Sequence, residues 1–201
     1  PESCGLPSVQ KLSGEEMKPE DSMRTLSLQK RVLRHPGIWI IAASSAFIYI
    51  TKYAITGWGV LFLQKAKLFS LEKASSIIAV AALVGTVSAG WISDRLFKGD
   101  RMRPALLSGL LGIVMLSLFL FTGGGFVLNT VYVAVFNFAM GELYCIVAGL
   151  MAIDIVPRKA TGAALGVVGV SSYVAAAIQD IASGYLIQEN GSDFTAVSVF
   201  W

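Results

Sequence analysis

Five long apolar runs, separated by short polar connections, decide most of what this chain can fold into. A helix needs about 20 apolar residues to cross bilayer hydrocarbon, with a range of roughly 17–25. The runs extend over about Ile38–Leu63, Lys73–Phe97, Pro104–Thr122, Phe126–Val156 and Thr161–Ile187. After Asp193 the stretch Phe194–Trp201 turns apolar again; it is too short to span and reads as the start of a sixth helix. Charge follows the same division. Residues 1–35 hold 11 of the 29 charged residues, and charged residues are only 14% of the chain, against about 25% in an ordinary soluble domain. The pattern predicts an all-α, multi-pass integral membrane protein with a polar head.

The residue inventory removes several chemistries. The single histidine, His35, leaves almost no material for zinc ligation or a Ser–His–Asp site. No nucleophile–base set stands out, so an enzyme is not expected, and neither is a cofactor or a metal. Cys4 and Cys145 lie in different environments, polar head and apolar run, and are not expected to pair. The net charge of +3 is spread between hydrophobic segments, which fits membrane topology and not nucleic-acid binding. The opening Pro1-Glu2-Ser3 shows no signal-peptide pattern.

Orientation is read from Lys and Arg in the connections. With the N-terminus cytoplasmic, the inner side collects ten: Arg24, Lys30, Arg31 and Arg34, then Arg95, Lys98, Arg101 and Arg103, then Arg158 and Lys159. The outer side holds three, Lys65, Lys67 and Lys73. Short loops make successive helices antiparallel neighbours. Gly85 with Ala89, and Gly162, Gly166 and Gly169, have the small-residue spacing that lets helices approach closely in lipid.

Ionisable groups within the runs are the candidates for function, since each costs about 2.5–3.5 kcal/mol near the helix centre on insertion scales. Lys52 and Glu142 both fall near mid-depth; Asp180, beside Gln179, lies nearer the outer end of its helix. Lys52 is read as binding an anion in a water-filled cavity. The competing reading pairs it structurally with Glu142, or lets its ammonium snorkel outward. Tyr49, three residues before Lys52, shares nearly its helix face.

Several stretches carry a resemblance. Gly90-Trp91-Ile92-Ser93-Asp94-Arg95-Leu96-Phe97-Lys98-Gly99-Asp100-Arg101 resembles the signature loop of the major facilitator superfamily. Its late Gly is similar to that of the organophosphate:phosphate antiporters, the hexose-phosphate and glycerol-3-phosphate transporters and their sensor relatives. Ile153-Asp154-Ile155-Val156-Pro157-Arg158-Lys159-Ala160-Thr161-Gly162, Tyr49–Trp58 and the opening Pro1–Pro7 are similar to further segments of that family, in the same order.

The resemblance implies that residues 1–35 are the cytoplasmic central loop. Residues 36–201 then form the C-terminal six-helix bundle, as helices seven to eleven and the start of twelve. It also implies an N-terminal six-helix half as partner. The implied activity is secondary transport of a phosphorylated organic anion, sugar phosphate or glycerol phosphate, in exchange for inorganic phosphate. The alternative is a sensor that binds hexose phosphate and signals to a kinase.

Position 52, commonly Arg in the family, is Lys here and is implied to meet phosphate, with Tyr49 and Tyr173 lining the cavity. Glu142 falls where relatives have an aromatic, beside a Gly-Pro that here reads Leu143-Tyr144. It could hold Lys52, couple a proton or recognise hydroxyls. The Asp and Lys of some hexose-phosphate members are replaced by Leu165 and Val168. The Asp94–Arg95 loop is expected to act with Arg101, Asp154 and Arg158 as a cytoplasmic latch, in which Asp94 meets the start of the fifth segment. A purely topological positive loop is the competing reading.

Overall fold

A computed structural model describes residues 25–65, 71–122, 125–189 and 194–201. The opening Pro1–Pro7 segment, Cys4, Arg24, Lys67 and Asp193 lie outside the described residues, as does most of the expected central loop. Seven helices are followed here: α1 (Thr25–Arg34), α2 (Pro36–Lys65), α3 (Leu71–Trp91), α4 (Met102–Phe121), α5 (Phe126–Asp154), α6 (Thr161–Glu189, entered through the 3₁₀ turn Arg158–Ala160) and α7 (Thr195–Phe200).

Four of them, α2, α4, α5 and α6 with its entry turn, are long and apolar enough to cross a membrane. The protein is therefore an all-α, multi-pass membrane protein. The bundle shows the inversion expected of lipid exposure. Large apolar side chains such as Phe47, Val87, Leu110 and Ile181 point outward, while Ser45, Ser108, Asn137, Glu142 and Gln179 are buried between helices.

Helix contacts run α2 against α6, α3 against α5 and α4 against α5. In lipid such contacts depend on close packing and interhelical hydrogen bonds. At the α3–α5 crossing, a Cβ on Gly85 would collide with the Phe138 carbonyl, and one on Gly141 with the Ala82 carbonyl. Gly85 thus has the close-packing part expected of it. Gly162, Gly166 and Gly169 do not: nothing lies within 4 Å of a Cβ at any of the three. Small-residue spacing marks where a backbone can be approached, and among the described residues no other helix comes that close to these three glycines.

The α2–α6 seam is polar as well as close. The hydroxyls of Ser45 and Ser172 are 2.6 Å apart, and Ser171 Oγ donates to the Ala42 carbonyl at 3.1 Å. Phe62 stacks edge-on against Phe119, Phe194 and Trp201, tying α2 to α4 and the α7 segment. At the opposite end α1 docks through Val32 onto Ile38, Ala160 and Ala164.

Candidate functional site

Halfway along α2 the backbone widens into a π-helical turn over Ala54–Trp58. Such turns are often found at functional sites. Immediately before it stands Lys52, 16 residues from Pro36, or roughly 24 Å along the axis at 1.5 Å per residue. Its ammonium sits among aromatic faces: 4.0 Å from the centre of the Tyr144 ring, 5.0 Å from Tyr49 and 5.6 Å from Tyr53. Ring quadrupoles attract a cation at these distances by about 0.5–2 kcal/mol. Among the described residues no carboxylate oxygen lies within 4 Å of it.

Helix periodicity builds the rest of the cluster. Tyr49 and Tyr53 are four residues apart and share one face of α2; their rings stack with centroids 5.8 Å apart. Tyr173 of α6 meets both edge-on, at 5.6 and 6.3 Å. Tyr144, from α5, is anchored by a 2.7 Å hydrogen bond between its hydroxyl and Thr86 of α3. Lys52, Tyr49 and Tyr173 are thus brought together. Sequence reasoning missed Tyr53 and Tyr144. The first was signalled by its position four after Tyr49. The second is visible only once α5 is laid across α2.

Glu142 is not where a partner of Lys52 would stand. It is 5% exposed, and its Oε2 accepts a 2.7 Å hydrogen bond from Ser108 of α4. Two residues along a helix turn a side chain by about 200°, so Tyr144 faces α2 while Glu142 faces α4. The structural pairing of Lys52 with Glu142 is therefore not formed.

Asp180 is exposed, and its Oδ1 would lie 3.8 Å from a Cβ on Gly57. A groove of about 700 Å³ runs elsewhere along the α2–α6 seam, past Trp39, Gly166, Val170 and Ile178. Its apolar walls offer an anion no counter-charge.

The other charged constellation lies where α3 hands over to α4. A turn through Lys98 (φ +54°) and Gly99 (φ +85°) folds the chain back, so that the Gly99 amide reaches the Ser93 carbonyl at 3.0 Å. Gly adopts this left-handed conformation without steric cost, which accounts for a glycine at that point of the loop. The turn returns Arg101 to Asp94, 2.6 Å away, and to Ser93 Oγ at 2.8 Å; it also meets Asp154 of α5 at 3.4 Å. Burial disfavours the Arg101 charge, but its hydrogen bonds to Asp94 and Asp154 and their attraction outweigh this and raise its pKa above the ordinary value. Asp94 is met by Arg101. Arg95 and Arg158 are exposed at the same end.

A bundle of membrane-crossing helices with a cation held among tyrosines inside it, and an ionic clasp at one end, defines a multi-pass helical membrane protein. The chain belongs to the Major Facilitator Superfamily, whose family model matches residues 7–191. It is 32% identical over 186 residues to the glycerol-3-phosphate transporter of Bacillus subtilis, covering 87% of this chain and 41% of that protein. It is 32% identical over 187 residues to the hexose-6-phosphate:phosphate antiporter of Salmonella typhimurium, covering 87% and 39%. It is 28% identical over 190 residues to the membrane sensor protein UhpC of Escherichia coli, covering 89% and 43%. Within the superfamily these relatives place it in the organophosphate:phosphate antiporter family. The chain spans about two fifths of the length of each.

Proposed function

We propose that this chain is the C-terminal half of a carrier that exchanges a phosphorylated organic anion for inorganic phosphate. The observation that carries the reading is Lys52: a mid-helix ammonium held by rings, with no carboxylate oxygen within 4 Å among the described residues. A charge kept in lipid without a counter-ion calls for an anionic ligand. Tyr49 and Tyr173 wall the same face and present hydroxyls able to donate to phosphate oxygens.

The second half of the site comes from an N-terminal bundle, and the two halves rock about the bound anion, as in carriers with midplane sites. On this reading α3 is a fifth span and α7 the beginning of a sixth. The Arg101 end is cytoplasmic, with the clasp of Asp94, Arg101 and Asp154 joined by Arg95 and Arg158 in latching the inner face. Residues 1–35 are the central loop that leads into the bundle through α1. In a bacterium the protein would lie in the plasma membrane.

The likeness to a membrane sensor supports a second reading, binding without transport and signalling to a kinase partner. Phosphate counterflow in proteoliposomes, using this chain joined to its N-terminal half, separates the two. Exchange of labelled phosphate for a phosphate ester supports the carrier. Binding of phosphate without exchange supports the sensor. Absence of binding overturns both.

A further inference from the structure

The seam that holds Lys52 continues outward, and it changes sign. Tyr49, Tyr53 and Gly57 follow one another at four-residue intervals on α2, so they form one stripe. Tyr173 and Asp180 are seven residues apart on α6, two turns along one face. The contacts lock the two stripes in register. Tyr173 meets Tyr49 and Tyr53, Asp180 Oδ1 comes within 3.8 Å of a Cβ on Gly57, and Trp58 comes within 3.4 Å of a Cβ on Gly184. Asp180 therefore stands level with Gly57, five residues or about 8 Å beyond Lys52 along the helix.

Its carboxylate is exposed at that edge, and among the described residues no Lys or Arg nitrogen lies within 4 Å of it. Gly57 leaves the space in front of it open. A bare carboxylate facing acyl chains would be costly, so this edge faces the central vestibule. One stripe thus carries a cationic pole, a wall of tyrosine rings and an anionic pole. A small inorganic ion can engage only the first.

We propose that Asp180 is a specificity-determining residue. It takes hydrogen-bond donors at the far end of a phosphate ester whose phosphate lies at Lys52. This selects esters long enough to bridge the two poles, with hydroxyl or ammonium groups at the distal end and an apolar ring face for the tyrosines. The inference rests on the anion site proposed above.

The test measures binding by thermal stabilisation and by displacement of labelled phosphate, with the chain joined to its N-terminal half. The probes are inorganic phosphate, glycerol 3-phosphate, glucose 6-phosphate and glucosamine 6-phosphate. Asp180→Asn and Asp180→Ala should lower the preference for a hexose phosphate over phosphate by tenfold or more. The preference for glycerol 3-phosphate over phosphate should move less than threefold. A further loss in Asn specific to glucosamine 6-phosphate identifies ammonium as the preferred donor; an equal loss for both hexoses identifies hydroxyls. If Asp180→Asn and Asp180→Ala keep the hexose preference within twofold, or weaken all four probes alike, Asp180 is not the distal pole. If the unsubstituted protein binds neither phosphate nor any ester, the anion site itself fails and this inference with it.

Discussion

The Lys52 ammonium lies 4.0 Å from the centre of the Tyr144 ring, and the hydroxyl of that ring is 2.7 Å from Thr86. One cation on α2 is thereby tied through α5 to α3. A carboxylate in the same place would cancel the charge and hold it as a closed pair. A ring face lowers the cost of keeping the charge by about 0.5–2 kcal/mol and leaves its ammonium protons free for an incoming anion.

Lys52→Gln should raise the half-saturating phosphate concentration for exchange by at least tenfold. A hydrogen bond to a charged group contributes about 1.5–3 kcal/mol, or roughly 10–150-fold. Lys52→Arg keeps the charge and adds a planar fork, so it should retain exchange and shift the preference among phosphate esters. Proteoliposome exchange kinetics check both, and unchanged affinity in Lys52→Gln would remove this residue from the site.

Tyr144 supplies the second prediction. Tyr144→Phe keeps the ring over the ammonium and loses only the Thr86 bond, so phosphate affinity should change by less than about threefold. Tyr144→Leu removes the quadrupole and frees the lysine, and affinity should fall by about 2–30-fold, the equivalent of 0.5–2 kcal/mol. Isothermal titration with phosphate reads the difference. A Leu variant equal to the Phe variant would show that the ring has no part in holding the charge.

Period and composition made much of this readable beforehand. Apolar runs at about Pro104–Thr122 and Phe126–Val156 became helices at Met102–Phe121 and Phe126–Asp154, because lipid leaves an apolar stretch of that length few other structures. Lys52 stood out because a charge inside such a run is costly. Its surroundings were less legible. Tyr49 shares its helix, but Tyr144 reaches it across 92 positions of sequence, and no local pattern encodes that register. Glu142 misled for the same reason: depth along a helix was readable, whereas the side of the helix it occupies depends on where α4 packs. The glycines of α6 show the converse, a packing motif with no described atom of another helix within 4 Å of an added Cβ.

Gly85 and Gly166 should respond oppositely to alanine. At Gly85 the added Cβ meets a backbone carbonyl of α5, which can move only if the helix pair separates. Overpacking of this kind costs about 1–3 kcal/mol. At Gly166 nothing lies within 4 Å of a Cβ, and alanine, with its better helix propensity, should be neutral or slightly stabilising in this bundle. Thermal unfolding of the detergent-solubilised chain checks the pair; equal loss in both would contradict the α3–α5 crossing.

The clasp at Arg101 should respond to salt and not to moderate alkali. Asp94 and Asp154 are 62% and 52% exposed at the side chain, so each pair contributes only about 0.2–1 kcal/mol and is screened by ions. The folded pKa of Arg101 is raised, so its linked stabilisation is fully present below the unfolded arginine value and is lost only as pH rises through the folded one. No change from this group is therefore expected between about pH 6 and 9. Arg101→Lys keeps the charge but loses the fork that reaches Ser93, Asp94 and Asp154 together. It should alter the exchange rate with little effect on half-saturation. A large shift in half-saturation alone would assign Arg101 to binding instead of latching.

Glu142 and Ser108 give the last prediction. The bond between them joins α5 to α4 in a site only 5% exposed at either residue. Interhelical hydrogen bonds in membranes average about 0.6 kcal/mol and reach about 1.7. Ser108→Ala should cost at least that much, because the carboxyl loses its donor. Glu142→Gln can still accept from Ser108, so it should fold with nearly unchanged stability and, since Glu142 faces away from Lys52, should keep phosphate affinity within about twofold. Glu142→Leu in a Ser108→Ala background replaces both polar partners and should recover part of the loss, since an apolar pair leaves nothing unsatisfied. Thermal unfolding of the unsubstituted protein, Ser108→Ala, Glu142→Leu and the double variant forms a double-mutant cycle. Exchange measured at two pH values adds a separate readout: loss of pH dependence in Glu142→Gln with stability intact would move this carboxyl from packing to proton coupling.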